Sequence, residues 1–374
     1  AEKPSPRGAF FREDIFWMNS HSEYDFEKIV SPLLFWYGRA ARALPWRDRP
    51  EPYRVWVSEI MLQQTRVEAV KPYFERFLSA LPTVSDLARA PEEQLLKLWE
   101  GLGYYSRARN LQKAARIMAE RHGGEVPASY EELLALPGIG EYTAGAISSI
   151  AFGIPVPAVD GNVLRVVSRL SADDSDIGNP ALKKDVAARL RRILPEGRAG
   201  DFNQAMMELG ATACLPNGAP LCGECPLSSL CLARSEGLTD RLPVKAAKKA
   251  RVSEDLTVFL IACGGRAALR RRPEKGLLAG LWELPNVPGK LGAEQAKELL
   301  EKWGVPAREM KPLPGAKHIF THREWHMTAW AVKAGRADEG MTWASRRELE
   351  ESYPLPYAFK AFFKPLKELI SAID

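Results

Sequence analysis

Cysteine is scarce in this 374-residue chain: there are five, and four of them, Cys214, Cys222, Cys225 and Cys231, crowd into one loop-sized stretch. Thiols so few and so clustered exclude a disulfide-braced scaffold and point to metal ligation in a reducing compartment. Long apolar runs are missing as well; none approaches the length of a membrane-spanning helix. A signal-peptide core is equally absent, because Arg12, Glu13 and Asp14 interrupt Phe10, Phe11, Ile15, Phe16 and Trp17. Met18 is a candidate natural start, with 1–17 as an upstream extension. Neither sign of charge dominates: 52 Lys and Arg against 47 Asp and Glu leave +5, a mild excess that suits a polyanionic partner. The length suggests two domains.

What is present centres on 136–163, LPGIGEYTAGAISSIAFGIPVPAVDGNV. Gly138 and Gly140 form a tight turn opening into a helix over 142–152, where close backbone approach and free N–H groups attract a phosphate. Twenty residues after Gly140, Asp160 precedes a new helical pattern, Val163, Leu164, Val166, Val167 and Leu170. It is a helix cap, a catalytic carboxylate, or both at once.

Upstream, residues 25–42 carry a helical period, and Trp46 and Arg47 sit in a short break. Side by side they can stack on a base and hold a phosphate, or Trp46 can pack under a helix start. One long helix is expected over 53–78. Its Glu59 shares a face with Val55, Trp56, Leu62 and Gln63, so it is an unusual surface residue or a buried functional one. Burial would raise its pKa and keep a proton available near neutral pH. Helices continue over 85–122 around a turn with an apolar tip, Gly101, Leu102, Gly103, Tyr104 and Tyr105, which is structural or a wedge beside a flipped base. Two more helices follow, 183–194 and 202–213, the second carrying Glu208.

The cysteine spacing is C-x7-C-x2-C-x5-C. Zinc ribbons present two C-x2-C pairs and this loop has one, so four thiolates in one loop suit an iron–sulfur cube, with zinc as the alternative. Cys263 lies in a strand-like run and reads as a core residue. Residues 241–255 are a linker whose Lys245, Lys248, Lys249 and Arg251 serve as solvated connector and DNA-backbone contact together. From 256 the period changes: strands are expected over 256–262 and 325–332 and helices over 293–303 and 357–372, an α/β or α+β pattern. His318, His322 and His326 recur every fourth residue, a spacing that strands would scatter rather than gather on a metal.

These motifs, in this order over about 25–370, resemble the adenine DNA glycosylases of the MutY type, members of the helix-hairpin-helix base-excision superfamily with endonuclease III. The carriers are Val57-Ser58-Glu59-Ile60-Met61-Leu62-Gln63-Gln64-Thr65, the 136–140 turn, Val159-Asp160-Gly161-Asn162-Val163, the cysteine loop and Phe320-Thr321-His322. The resemblance implies a mostly α helix-hairpin-helix glycosylase domain over 25–240 with a 4Fe–4S loop at 214–231. It also implies an N-terminal extension 1–24, a basic linker 241–255 and a nudix-like α/β (α+β) domain over 256–374. It assigns Glu59 as general acid, Asp160 as stabiliser of the sugar cation, and Tyr142 and Asn162 to positioning sugar and water. Gln64, Leu102, Gly103 and Tyr104 would contact or enter the DNA stack, and Glu208 would read the adenine. Phe320, Thr321 and His322 would read 8-oxoguanine, with Thr321 where the family has serine. Endonuclease III-type enzymes carry lysine where this chain has Tyr142, so base hydrolysis without strand cleavage is expected. The 276–285 segment resembles the start of a nudix fold, but 289–304 lacks the hydrolase helix, so this domain is expected to read the lesion rather than hydrolyse. The partner is duplex DNA with 8-oxoguanine:adenine or guanine:adenine pairs, for a monomeric, cytoplasmic, nucleoid-associated bacterial enzyme. The alternative is a non-enzymatic Fe–S DNA-binding protein, against which both carboxylates speak.

Overall fold

The computed structural model describes residues 24–246 and 250–371. The 1–23 part of the extension, and Lys248 and Lys249 of the linker, lie outside the described residues. The chain divides into two compact units that do not follow its order. One draws on 24–41 and 159–245, the other on 42–158 and the residues after 245.

The first unit is helical: Glu27–Ala40, Gly161–Leu170, Pro180–Ile193 and Ala199–Thr212 close around Ile29, Leu33, Val163, Val167, Leu190, Phe202 and Leu209. Helix starts follow local chemistry. Asp160 accepts from the Val163 N–H at 2.8 Å, and Asn179 caps Ala181 at 2.9 Å just ahead of Pro180.

The second unit opens with seven helices: Pro52–Leu62, Val67–Ala80, Val84–Arg89, Glu92–Leu98, Ser106–Arg121, Tyr130–Leu134 and Glu141–Phe152. The single helix expected over 53–78 is two. Four polar residues, Gln63, Gln64, Thr65 and Arg66, separate Leu62 from Val67, and Gln64 stands at φ 58°, a left-handed conformation that cannot propagate a helix.

A mixed sheet completes this unit: β1 Val252–Cys263, β2 Arg266–Arg271, β3 Trp282–Glu283, β4 Asn286–Pro288, β5 Ala307–Ile319, β6 Arg323–Ala334 and β7 Thr342–Ser345. The order is β3-β2-β1-β6-β5, with β4 on β1 and β7 on β2, and only β1 and β6 run parallel. β1 shows why its run is so apolar. Leu256, Val258 and Leu260 face a core with Phe362 and Leu366 of the helix Lys360–Ser371, while Phe259 and Ile261 face Ala296 and Leu300 of Ala293–Lys302. A strand covered on both faces loses its polar alternation. β1 begins at Val252, inside the 241–255 stretch that reads as linker, because pairing with Arg323 and Glu324 of β6 extends it through polar residues.

Helices and sheet share material. Leu281 is fully buried in the core formed by 44–147, the Lys97 ammonium donates to the carbonyls of Leu349 (3.0 Å) and Tyr353 (3.3 Å), and the Leu355 N–H donates to Glu100 at 2.7 Å.

Candidate active site

Glu59 lies on the last full turn of the helix Pro52–Leu62 and is 6 % exposed, among buried Val55, Trp56, Ile60 and Met61. Glu59 is therefore a buried residue and not a surface one. The Tyr142 hydroxyl, from the first turn of Glu141–Phe152, donates to Glu59 Oε2 at 2.6 Å and fixes the carboxyl plane. The Gln63 amide reaches Thr143 Oγ1 at 3.3 Å and ties the same two helices together.

The turn at 136–140 feeds that second helix. Gly138 has φ 79°, and a Cβ there would meet the Asn110 Cβ at 2.8 Å, so glycine is required. Gly140 is the helix N-cap at φ −100°, and a Cβ there would meet nothing within 4 Å, which leaves room in front of the helix start.

In the other unit, Asp160 uses both oxygens: Oδ1 accepts from Val163 N and Oδ2 from the Asn162 amide, each at 2.8 Å. Burial pushes its pKa up, against the lowering effect of those bonds and of the Arg165 charge. Asn162 Oδ1 in turn accepts from Arg165 at 2.9 Å, and Arg165 Nε donates to the Cys214 carbonyl at 2.8 Å. Gly210 lets the helix Ala199–Thr212 approach, since a Cβ there would meet the Asn162 Cβ at 2.6 Å. Glu208 on that helix is 1 % exposed and not a solvated side chain.

Cys214, Cys222, Cys225 and Cys231 line one hollow with about 400 Å³ of empty space, part of it open to solvent. Burial raises the Cys225 thiol to about 11 and raises Cys231 too; charge on the neighbouring thiols adds to this and backbone N–H groups oppose it. Arg169 donates to Cys214 Sγ at 3.3 Å. The seven-residue first gap is absorbed by a left-handed turn at Gly218, and the Leu221 N–H returns to the Ala213 carbonyl at 2.9 Å.

Three residues expected to touch DNA, Trp46, Arg47 and Leu102, have partners within the protein. Trp46 is 6 % exposed with its ring edge-on to Phe74 at 5.4 Å, so it packs in the core, and Arg47 turns to the Arg42 carbonyl at 3.0 Å. Leu102 is likewise buried at 6 % and anchors the turn inward. The exposed tip is Tyr104, 44 % accessible at φ 49° beside Gly103 at φ 73°. Gln64 is exposed too.

Phe320, Thr321 and His322 form the tip between β5 and β6. Phe320 packs edge-on to His318 and Trp325, Thr321 and His322 are exposed, and the Thr321 hydroxyl is 2.9 Å from the Tyr104 hydroxyl. Arg251, expected on the DNA backbone, donates to the Phe320 carbonyl at 3.2 Å, and Val252 N donates to that of His322 at 3.0 Å. His326 pairs with Glu324 at 2.9 Å, and among the described residues the three histidines form no metal site.

Comparison with known proteins places this geometry. Residues 57–196 match the HhH-GPD superfamily base excision DNA repair protein model and 257–364 the NUDIX domain. The adenine DNA glycosylase of Homo sapiens is 38 % identical over 78 % of this chain and 64 % of its own length. That of Rattus norvegicus is 38 % identical over 84 % and 71 %. The chain belongs to the adenine DNA glycosylase family. It spans less than two thirds of the human relative's length. A thermostable thymine-DNA glycosylase of known structure is 29 % identical with a TM-score of 0.50, covering 56 % of this chain and 97 % of that one.

For a chain of the adenine DNA glycosylase family, three arginines are conspicuous that the sequence did not single out. Arg107, Arg165 and Arg169 are all buried, and each bonds to backbone carbonyls. Arg165 and Arg169 interrupt the apolar 163–170 pattern, the one signal that could have marked them.

Proposed function

We propose that this chain excises adenine from duplex DNA by hydrolysing its N-glycosidic bond, where adenine lies opposite 8-oxoguanine and also opposite guanine. The observation that carries this reading is Glu59, a carboxyl buried in an apolar helix face and held by the Tyr142 hydroxyl at 2.6 Å. Adenine inside a duplex is out of reach and must be flipped out. It leaves poorly as an anion, so protonated Glu59 donates to a ring nitrogen as the bond lengthens. The sugar becomes an oxocarbenium ion, which ionised Asp160 stabilises or bonds transiently. Water then adds to the anomeric carbon, returning a proton to Glu59, the two-carboxylate pattern of glycoside hydrolysis. Asp160 is suited to this because Val163 and Asn162 pin both its oxygens. Tyr142 offers no amine for a Schiff base, so the strand stays intact.

On the same reading, exposed Gln64 and Tyr104 enter the stack, Glu208 reads the adenine, and Gly138 and Gly140 hold a phosphate. Phe320, Thr321 and His322 read the lesion. Cys214, Cys222, Cys225 and Cys231 would hold a 4Fe–4S cluster. The four thiols line one hollow and come from one loop with a single C-x2-C pair, which suits a polynuclear group better than one tetrahedral zinc. When bound, the cluster supplies four iron–thiolate bonds that brace the loop.

The test is single-turnover release of adenine from a duplex with one 8-oxoguanine:adenine pair, strand scission appearing only after alkali. Glu59→Gln keeps shape and duplex binding but is expected to slow release by about 10²–10⁴-fold. Near-normal release by that variant removes Glu59 from the chemistry, and no release by the intact chain overturns the reading.

A further inference from the structure

We propose that Arg107 is a positioning residue that holds the Tyr104 wedge and the helix carrying Glu59 as one piece, so that entry of the wedge into DNA and alignment of the acid are coupled. The proposal rests on the glycosylase reading above.

Arg107 sits on the first turn of Ser106–Arg121 and is 9 % exposed. Its two terminal nitrogens divide the work. Nη1 donates to the carbonyls of Ile60 (2.8 Å), Met61 (2.9 Å) and Gln63 (2.6 Å), at the end of the Glu59 helix. Those carbonyls have no partner within their own helix. Nη2 donates to the carbonyls of Leu102 (3.2 Å) and Gly103 (3.1 Å) in the wedge turn, and to Thr65 Oγ1 at 3.2 Å. The guanidinium lies 5.4 Å from the Trp99 ring centre and 5.5 Å from that of Tyr104.

Two further facts separate this from ordinary packing. The segments it joins each hold a non-glycine residue in left-handed backbone, Gln64 at φ 58° and Tyr104 at φ 49°. Such backbone persists only where its surroundings hold it. The six acceptors are also all uncharged, so the desolvated cation gains no ion pair there. An apolar side chain would fill the same volume without that cost. What only the fork provides is a fixed distance between the end of one helix and the tip of another turn.

Arg107→Lys keeps the charge and loses the fork. Rates of adenine release from an 8-oxoguanine:adenine duplex are normalised to active sites by burst amplitude, with thermal melting as the check on folding. The expected result is a rate per active site about ten- to hundredfold lower, the scale of an ångström-sized misplacement. Tyr104→Leu should also slow release, and the double variant should be no slower than the slower single one, because both disable one unit. Full rate per active site in Arg107→Lys, or losses that multiply in the double variant, overturn the coupling. Should Arg107→Lys not fold, Trp99→Phe takes its place, since the Trp99 indole donates to the same Gly103 carbonyl at 3.1 Å. Additive slowing, or none, then overturns the coupling equally. A wild-type chain that releases no adenine strikes the glycosylase reading itself and takes this proposal with it.

Discussion

Asp160 divides its two oxygens between a helix start and Asn162, and its environment sets a testable pH dependence. Burial raises its pKa above the ordinary 3.8, so the native state holds that proton more tightly than the unfolded chain does. Its contribution to stability is therefore fully present at acid pH and is lost as pH rises through the raised value. Melting temperatures measured against Asp160→Asn should show the native protein losing ground as pH climbs through the carboxylate range. Under the proposed mechanism activity runs the other way: the ionised carboxylate is the form that steadies the sugar cation, so the acid limb of the single-turnover rate should lie above the range of an ordinary aspartate. The Asn variant should bind duplex yet lose about 3–4 kcal/mol of transition-state stabilisation. A variant that melts lower but stays active would leave Asp160 as a cap alone. Single residues were unevenly legible in the sequence. Glu59 announced itself because three of its four neighbours three and four positions away, Val55, Trp56 and Leu62, are apolar. Trp46 did not, since an indole spaced for stacking and one spaced for packing on Phe74 look alike.

At the scale of elements, the turn before Glu141–Phe152 makes two glycines two positions apart behave oppositely. Gly138→Ala forces a Cβ into left-handed backbone against Asn110, so it should lower the melting temperature by an amount corresponding to about 1–3 kcal/mol. Gly140→Ala enters open space at an ordinary φ and should leave melting unchanged while weakening duplex binding, if a phosphate sits before that helix. Equal binding by Gly140→Ala and the native chain would remove the phosphate from that position. The cysteine loop carries its own prediction: purified protein should be brown with about four irons per chain. Stoichiometric zinc without iron would refute it. The loop was readable because thiol spacing is local. The break at Gln64 was not, because the arginine that secures it comes more than forty residues later.

For the whole molecule, the two compact units draw on separated stretches of the chain. A cut within 241–252 looks like a clean separation of two domains, yet Leu281 completes the core of 44–147, and Lys97 and Glu100 bond to backbone beyond 348. Removing everything after the cut should therefore lower the melting temperature of what remains. Loss of Leu281 alone exposes a site worth about 1.5–3 kcal/mol. An unchanged melting temperature would show that the socket closes without it. None of this was visible in sequence, because a leucine gives no sign of which core it will enter. The interleaved units also bear on how the protein is made. The helix Glu27–Ala40 packs on Ala199–Thr212, its partner some 160 residues later in the chain. At ribosomal speeds of about 5–20 residues per second, its apolar face of Ile29, Leu33, Leu34 and Tyr37 waits roughly 8–30 s for that partner to emerge. During this interval the nascent chain is a client for whatever shields apolar helices at the ribosome exit.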